Sequence, residues 1–574
     1  MIIALISTDY ENCRKCYACV RACPVKTIAI KRGLPEIVEE GCLGCGQCVL
    51  ACSIGAKKVQ DDTGIIKEWI AQGHCVEALV APSYPASFPI AGGKLVAALE
   101  QLGFSGVHEV AFGAEICAQE YTKTRNQSTG KTMITTACPA VVHLVEKHFP
   151  DLLQYLAPID SPMLIQAKLV KATRPDHKVV FIGPCLSKKY ESKDPNTEGY
   201  VDAAITFRQL NNWFTEENLE WKELAEVNWQ NPQPTLARTF PISGGLLKTS
   251  GMNEDVSSMD VLVVEGAQQC IELLKAMHHG EFFPKIVDML VCQGCVMGPG
   301  MVSDKPYVVR AHQVAQTVRQ NNYNSNIDLA PVLETLNFRR QFQAKPVTKQ
   351  SFTDEEIWQT LKETGKEFPR DLINCGACGY DTCWEKAVAC LQGMAEKEMC
   401  LPYLLMQVPA LTNSLMNMSN QLMLSMESIN FSTLTLKGTT SKMNTRNHHL
   451  ESLIEETNCI AKDTIELANK VLTIVGQYQV PLVEQPNIQA SPSATDLEDI
   501  KKIAAESKLQ SEKATKAFED IAFVLTSLRE DSVMIMDQEK AIKNVTSSLE
   551  QIVSTYDQLL SIGSAMASIG RNYV

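Results

Sequence analysis

The chain has 574 residues, 45% of them hydrophobic, which is material for about three to five domains with sizeable cores. Lys and Arg number 53 against 66 Asp and Glu, and the resulting net charge of −13 argues against a nucleic-acid footprint. No uninterrupted apolar run reaches the roughly eighteen residues that a membrane-spanning helix needs.

The first residues, "MIIALISTDYENC", lack a basic region and a small-residue cleavage site, so no secretory signal is expected and the placement expected is cytoplasmic. In that setting 21 cysteines point to metal clusters rather than disulfides. Cys13, Cys16, Cys19 and Cys23, followed by Pro24, spell C-x2-C-x2-C-x3-C-P. Cys42, Cys45, Cys48 and Cys52 repeat the run, with Ser53 in place of the proline. Zinc motifs usually pair two C-x2-C units across a longer spacer, whereas a cubane takes three thiolates from one run and its fourth from the other. Cys13, Cys16, Cys19 and Cys52 are therefore assigned to one [4Fe–4S] cluster, and Cys42, Cys45, Cys48 and Cys23 to a second. Residues 1–62 resemble the bacterial two-cluster ferredoxins, which implies a ferredoxin-like α+β domain and electron transfer.

Residues 70–340 alternate strand and helix patterns. "KVVFIGPC", "DVLVVEGA" and "VDMLVCQGC" read as buried strands ending in loops, while "LVAALEQL", "AVVHLVEKHF" and "AQQCIELLKAM" carry apolar residues at helical spacing. Such alternation predicts parallel sheets of the α/β class, with a site beyond the strand carboxyl ends. Cys138, Cys185, Cys292 and Cys295 all fall just past such runs. One cysteine there reads as a small buried hydrophobe, but four at corresponding places make a site.

"TTACP", "GPCLSKKYE" and "VDMLVCQGCVMG" resemble the three cysteine motifs of [FeFe]-hydrogenase catalytic domains, with further matches at "VAPSYPA", "DAAITFRQL" and "FPISGG". The resemblance implies an H-cluster: a [4Fe–4S] cluster on Cys138, Cys185, Cys292 and Cys295, bridged by Cys295 to a two-iron unit carrying CO, cyanide and an azadithiolate. It also implies that Lys188 hydrogen-bonds one cyanide, that Pro82 and Ser83 form the turn around the other, and that Phe240 and Ser243 stand near the open iron. A buried cyanide without a donor would be costly, and a lysine ammonium supplies a charge-assisted bond.

Several positions depart from the fast members of that family. Their proton-passing cysteine is Ala137 here, which has no proton to give. Gly183 replaces a methionine, which is expected to open the pocket. The third motif is one residue short of C-x3-C, and Asp288 stands where glutamate is common. Glu191 is retained as a candidate acid, against the plainer reading of a surface glutamate at a helix start. These departures resemble the sensory branches of the family.

Over residues 350–405, Cys375, Cys378, Cys383 and Cys400 form C-x2-C-x4-C-x16-C. Gly376 and Gly379 permit tight turns, and the stretch after Cys383 reads as a helix that returns Cys400 to the cluster. The pattern is similar to a small iron–sulfur domain of electron-transport and corrinoid proteins, implying a third accessory [4Fe–4S] cluster. Cys390 reads as packing.

The tail, 406–574, is all-α in pattern: a helix over about 406–478, a proline-rich linker, and a helix over about 495–570 opened by a Thr495/Glu498 capping box. Ile521, Leu528, Ile535, Ile542, Leu549 and Tyr556 share one heptad position, and Val524, Val545, Ile552 and Leu559 share its partner, interrupted by Asp531 and Gln538. A coiled-coil homodimer stalk and a signal-output helix both fit.

The chain is thus expected to be an oxidoreductase performing slow, reversible H2 and proton chemistry in a sensory role. Expected partners are a ferredoxin-type carrier or a signalling protein, and maturation proteins that supply the two-iron unit. The alternatives are a metabolic electron-transferring hydrogenase subunit and a hydrogenase-like iron–sulfur assembly protein.

Overall fold

The computed structural model describes residues 5–127, 131–254, 257–320, 334–348 and 350–436, with scattered tail positions between 452 and 561. The chain forms two compact units: 1–12, 18–29 and 36–351 in the first, and 13–17, 30–35 and 352–574 in the second. The first sixty residues are divided between the two units. Strands β1 (Ile6–Thr8), β2 (Ile28–Lys31), β3 (Leu34–Ile37) and β4 (Lys57–Val59) form only two two-stranded sheets, β1 antiparallel to β4 and β2 beside β3. Leu43, between the cysteines of the second run, instead joins an apolar cluster with Ile134, Val141, Leu144 and Val287.

The rest of the first unit is α/β. Strands β5 (Val76–Val80), β6 (Gly106–Glu109), β7 (Met133–Ile134), β8 (Lys178–Gly183), β9 (Ala203–Thr206), β10 (Val261–Glu265) and β11 (Ile286–Leu290) build two parallel sheets. Their orders are β6-β5-β8-β9 and β10-β11-β7. Every residue of β5, β6, β9 and β11 is buried, as expected of strands covered on both faces, whereas the edge strand β10 is only half-buried. Among the covering helices, Phe207–Glu216 opens with a Thr206/Gln209 capping box, and Phe207 and Phe214 meet Phe88 edge-on at 5.6 and 5.9 Å. On β5, buried Glu77 accepts hydrogen bonds from His108, His177 and Arg174 at 2.7–2.8 Å.

In the second unit, helix Asp354–Lys362 packs Ile357 and Leu361 against Ala387 of helix Cys383–Leu391, with Trp358 and Trp384 in edge contact at 5.8 Å. The latter helix stops after nine residues and turns back at Gly393 (φ +70°), so Cys400 returns on a turn and not on the continuous helix expected. The tail helix is described over Leu401–Leu436 and buries Leu415, Met418, Leu422, Met426 and Ile429 along one face. Ser428 lies 3.0 Å from Ser548, and Ser425 lies 3.5 Å from Gln551. One number rises as the other falls, so the two tail segments meet antiparallel within one chain. Of the expected heptad, Ile552 is buried and Leu549 half-buried; Ile521, Val524, Leu528, Ile535, Ile542, Val545, Tyr556 and Leu559 lie outside the described residues, as does the Thr495/Glu498 box. No described helix is long and apolar enough to cross a membrane.

Candidate metal centres

Three parallel strands deliver the scattered cysteines. Cys138 follows β7 and caps helix Pro139–His148, with Pro139 in the first turn, where its missing N–H costs nothing. Cys185 follows β8 and Cys292 follows β11, while Cys295 opens a short 3-10 turn after Gly294 (φ +65°). A Cβ on Gly294 would lie 2.7 Å from the Pro241 carbonyl, so the backbone itself demands glycine there. The four thiols share one buried neighbourhood. Burial, then the Cys138 charge, pushes the Cys185 thiol up to about 11. Burial followed by the charges of Cys185 and Cys138 drives Cys292 and Cys295 higher still. Four thiolates cannot ionise together there without a cationic centre among them, and that is the condition an iron cluster meets.

Beside them lies a cavity lined by Pro82, Ser83, Ala137, Phe181, Cys185, Lys188, Phe240, Asp288 and Cys295, with apolar residues between. Ser83 is fully buried and its Oγ has no hydrogen-bond partner. Lys188, with its side chain 12% exposed, faces the same space and has Glu191 behind it at 3.1 Å. Burial alone would lower the lysine, but the Glu191 carboxylate and the Cys185 thiolate outweigh it and hold the ammonium charged. Neighbouring Lys189 points elsewhere, reaching Asp62 at 3.1 Å and the Ala204 carbonyl.

Three expectations change here. Gly183 does not open the pocket: a Cβ there would lie 2.6 Å from the Phe181 ring, because residues two apart on β8 share a face and Phe181 fills the space. Glu191 is neither a surface residue nor part of the cavity lining. It is 1% exposed and accepts from Ser161 (2.8 Å), Lys188 (3.1 Å) and Arg340 (2.7 Å). Ser243 is half-buried and also absent from the lining, while Phe240 is held there from behind. Arg238 binds Glu109 through two bonds of 2.7 and 2.6 Å, and a Cβ on Gly245 would overlap the Thr239 carbonyl, so the "FPISGG" turn closes only with glycine.

Asp288 is the only carboxylate among the described lining residues. It is 2% exposed, and its side chain has one donor, Thr135 Oγ1 at 3.0 Å. Burial raises it to about 6 against that hydrogen bond, so it changes charge near neutrality. Its sequence signal was the substitution of aspartate for glutamate. Arg340, 149 residues from Glu191, gave no local signal at all.

The second cysteine run packs against the same region. Ser187 Oγ and His143 Nδ1 both bond the Leu43 carbonyl (2.9 and 3.2 Å), Lys147 bonds the Cys42 carbonyl at 2.7 Å, and Tyr190 Oη donates to Glu39 at 2.6 Å. Burial and mutual charge raise Cys42, Cys45 and Cys48, and the Cys23 thiolate acts on all three. Cys45 in turn acts on Cys292. Cys13 and Cys16 fall in the other unit from Cys19 and Cys52. In the second unit, Cys375, Cys378, Cys383 and Cys400 line one cavity together with Lys366 and Lys386. Among the described residues no three His, Cys, Asp or Glu side chains converge tightly enough for a single ion.

Residues 74–299 match the model of the iron only hydrogenase large subunit, C-terminal domain, and residues 5–53 match a 4Fe-4S dicluster domain. This chain carries an iron-only hydrogenase domain. A third match, to an Fe-S cluster family, covers residues 373–402. The chain is 25% identical over 440 residues to the NADP-reducing hydrogenase subunit HndD of Solidesulfovibrio fructosivorans, covering 61% of this chain and 74% of that one. It is 30% identical over 200 residues to the cytosolic Fe-S cluster assembly factor NAR1 of Vanderwaltozyma polyspora, covering 32% of this chain and 38% of the relative. A variant of the [FeFe]-hydrogenase HydA1 from Chlamydomonas reinhardtii aligns with 50% of this chain and 100% of its own, at TM-score 0.42 and 18% identity. The hydrogenase and cluster domains together make this an iron–sulfur protein. The residues present suit an anionic, cluster-bridged group, with an orphaned hydroxyl and a buried ammonium facing a cavity beside four thiols.

Proposed function

We propose that the chain is a sensory [FeFe]-hydrogenase that interconverts H2 with protons and electrons slowly and reversibly. The observation that carries this reading is the cavity, where Lys188 and the unpartnered Ser83 converge beside Cys295. Cys138, Cys185, Cys292 and Cys295 would hold a [4Fe–4S] cluster, with Cys295 bridging to the two-iron unit. When bound, that unit supplies the splitting and formation of H2. Lys188, fixed by Glu191, donates to an anionic ligand on one side, and the Pro82–Ser83 turn donates on the other. Phe240, Phe181 and Leu246 exclude water. Ala137 gives no proton, so Asp288, with a carboxyl near neutrality, takes and returns it; Glu191 serves the charge of Lys188 rather than the proton. Cys23, Cys42, Cys45 and Cys48, whose Cys45 charge acts on Cys292, would hold an electron-transfer cluster, and Cys13, Cys16, Cys19 and Cys52, and Cys375, Cys378, Cys383 and Cys400, would hold two more. The tail reports the state to a partner and pairs two copies.

The identity to NAR1 favours a second reading, an iron–sulfur assembly protein without the two-iron unit. Infrared spectroscopy of protein matured with that unit separates the two. CO and cyanide bands that shift reversibly between H2 and an inert gas support the hydrogenase; no bands in protein full of cubane clusters sink it.

A further inference from the structure

The cavity of the C-terminal quartet contains two cations and no carboxylate. Lys366 is 5% exposed and its Nζ lies 3.2 Å from Cys400 Sγ, with its other bonds to the Thr364 carbonyl (3.2 Å) and hydroxyl (3.0 Å). Lys386, also 5% exposed, sits one turn beyond Cys383, and its charge acts on Cys378 and Cys390. Among the described residues neither lysine has an acidic partner within ion-pair reach, and no Asp or Glu lines the cavity. Two buried ammonium groups demand an anion, and the thiolates are the anions at hand. A third feature has the same sign. Tail helix Leu401–Leu436 begins directly after Cys400, so the positive end of its dipole lies at this ligand.

A cubane on four thiolates gains one negative charge when it takes one electron from a low-potential carrier. Buried positive charge and hydrogen bonds to sulfur stabilise that reduced state over the oxidised one. We propose that Lys366 and Lys386 raise the reduction potential of the C-terminal cluster, so that this centre retains its electron at the root of the tail helix. The inference rests on reading the quartet as a [4Fe–4S] site.

The test is a potentiometric titration of full-length protein carrying its cubane clusters, without the two-iron unit, followed by electron paramagnetic resonance. The centre is assigned by the signal lost in Cys378→Ala. Lys366→Gln and Lys386→Gln are each expected to move that midpoint downward and leave the other signals in place, with Lys366→Arg staying near wild type. A Gln variant with full iron content and the wild-type midpoint overturns the proposal, and if Lys366→Gln loads no iron, Lys386→Gln decides it. If Cys378→Ala removes neither iron nor signal, the reading of the quartet fails instead.

Discussion

Single residues set the chemistry of the cavity. Lys188 holds a buried charge with Glu191 behind it and open space before it, so its substitution removes the main donor to an anionic group. A charge-assisted hydrogen bond contributes about 1.5–3 kcal/mol, so Lys188→Met should retain the two-iron unit roughly ten- to a hundred-fold more weakly. Infrared band intensity per cubane iron measures this. In the proposed reaction Asp288 is the proton station that Ala137 is not. Its carboxyl, near 6, is protonated below that value and a base above it. H2 evolution should therefore rise as pH falls through about 6, and H2 oxidation as pH climbs through it. In Asp288→Asn both dependences should flatten and turnover drop at least about ten-fold. An unchanged profile would place the proton route elsewhere.

At the scale of elements, the short helix Ser187–Glu191 is the junction of the first unit. Ser187 touches the Leu43 carbonyl, Lys188 the cavity, Lys189 the Asp62 carboxylate, Tyr190 the Glu39 carboxylate and Glu191 the Arg340 guanidinium. The second cysteine run is seated on it by Gly44, at φ +67°, whose added Cβ would lie 2.4 Å from the Tyr190 ring. Gly44→Ala combines left-handed backbone strain with that clash and should cost about 1–3 kcal/mol. Thermal melting together with cluster content should report it, with iron lost from the Cys42–Cys48 site first.

At the scale of the whole molecule, the first unit depends on buried charge. Burial would raise Glu77, but hydrogen bonds from His108 and His177 and the charges of His108 and Arg174 outweigh it and lower the carboxyl to about 2. Its contribution is therefore present above the ordinary value of about 4.5 and lost as pH falls from there toward 2. Glu77→Gln should lower stability at pH 7 by about 2–3 kcal/mol and flatten the loss between pH 5 and 3. Melting curves across that range decide it. If the tail pairs two copies as proposed, deleting 406–574 should cut the mass seen in sedimentation to about a third, since each chain also loses its tail, while leaving the infrared bands of the matured cavity in place. A retained dimer would place the interface within residues 1–405.

The sequence alone determined the parallel α/β core, because buried apolar runs are local properties of a chain, and cysteine spacing is likewise local. The runs ending at Gly183, Glu265 and Leu290 became strands, and Cys138, Cys185, Cys292 and Cys295 came together beyond strand ends. Other features depend on residues far apart in the chain. Arg340 behind Glu191, Phe181 in the space of the lost methionine, and Lys366 on Cys400 are partnerships made by packing. Whether a carboxylate such as Glu191 or Asp288 serves as a charge partner or a proton station depends on what is buried with it, and only the tertiary structure decides that.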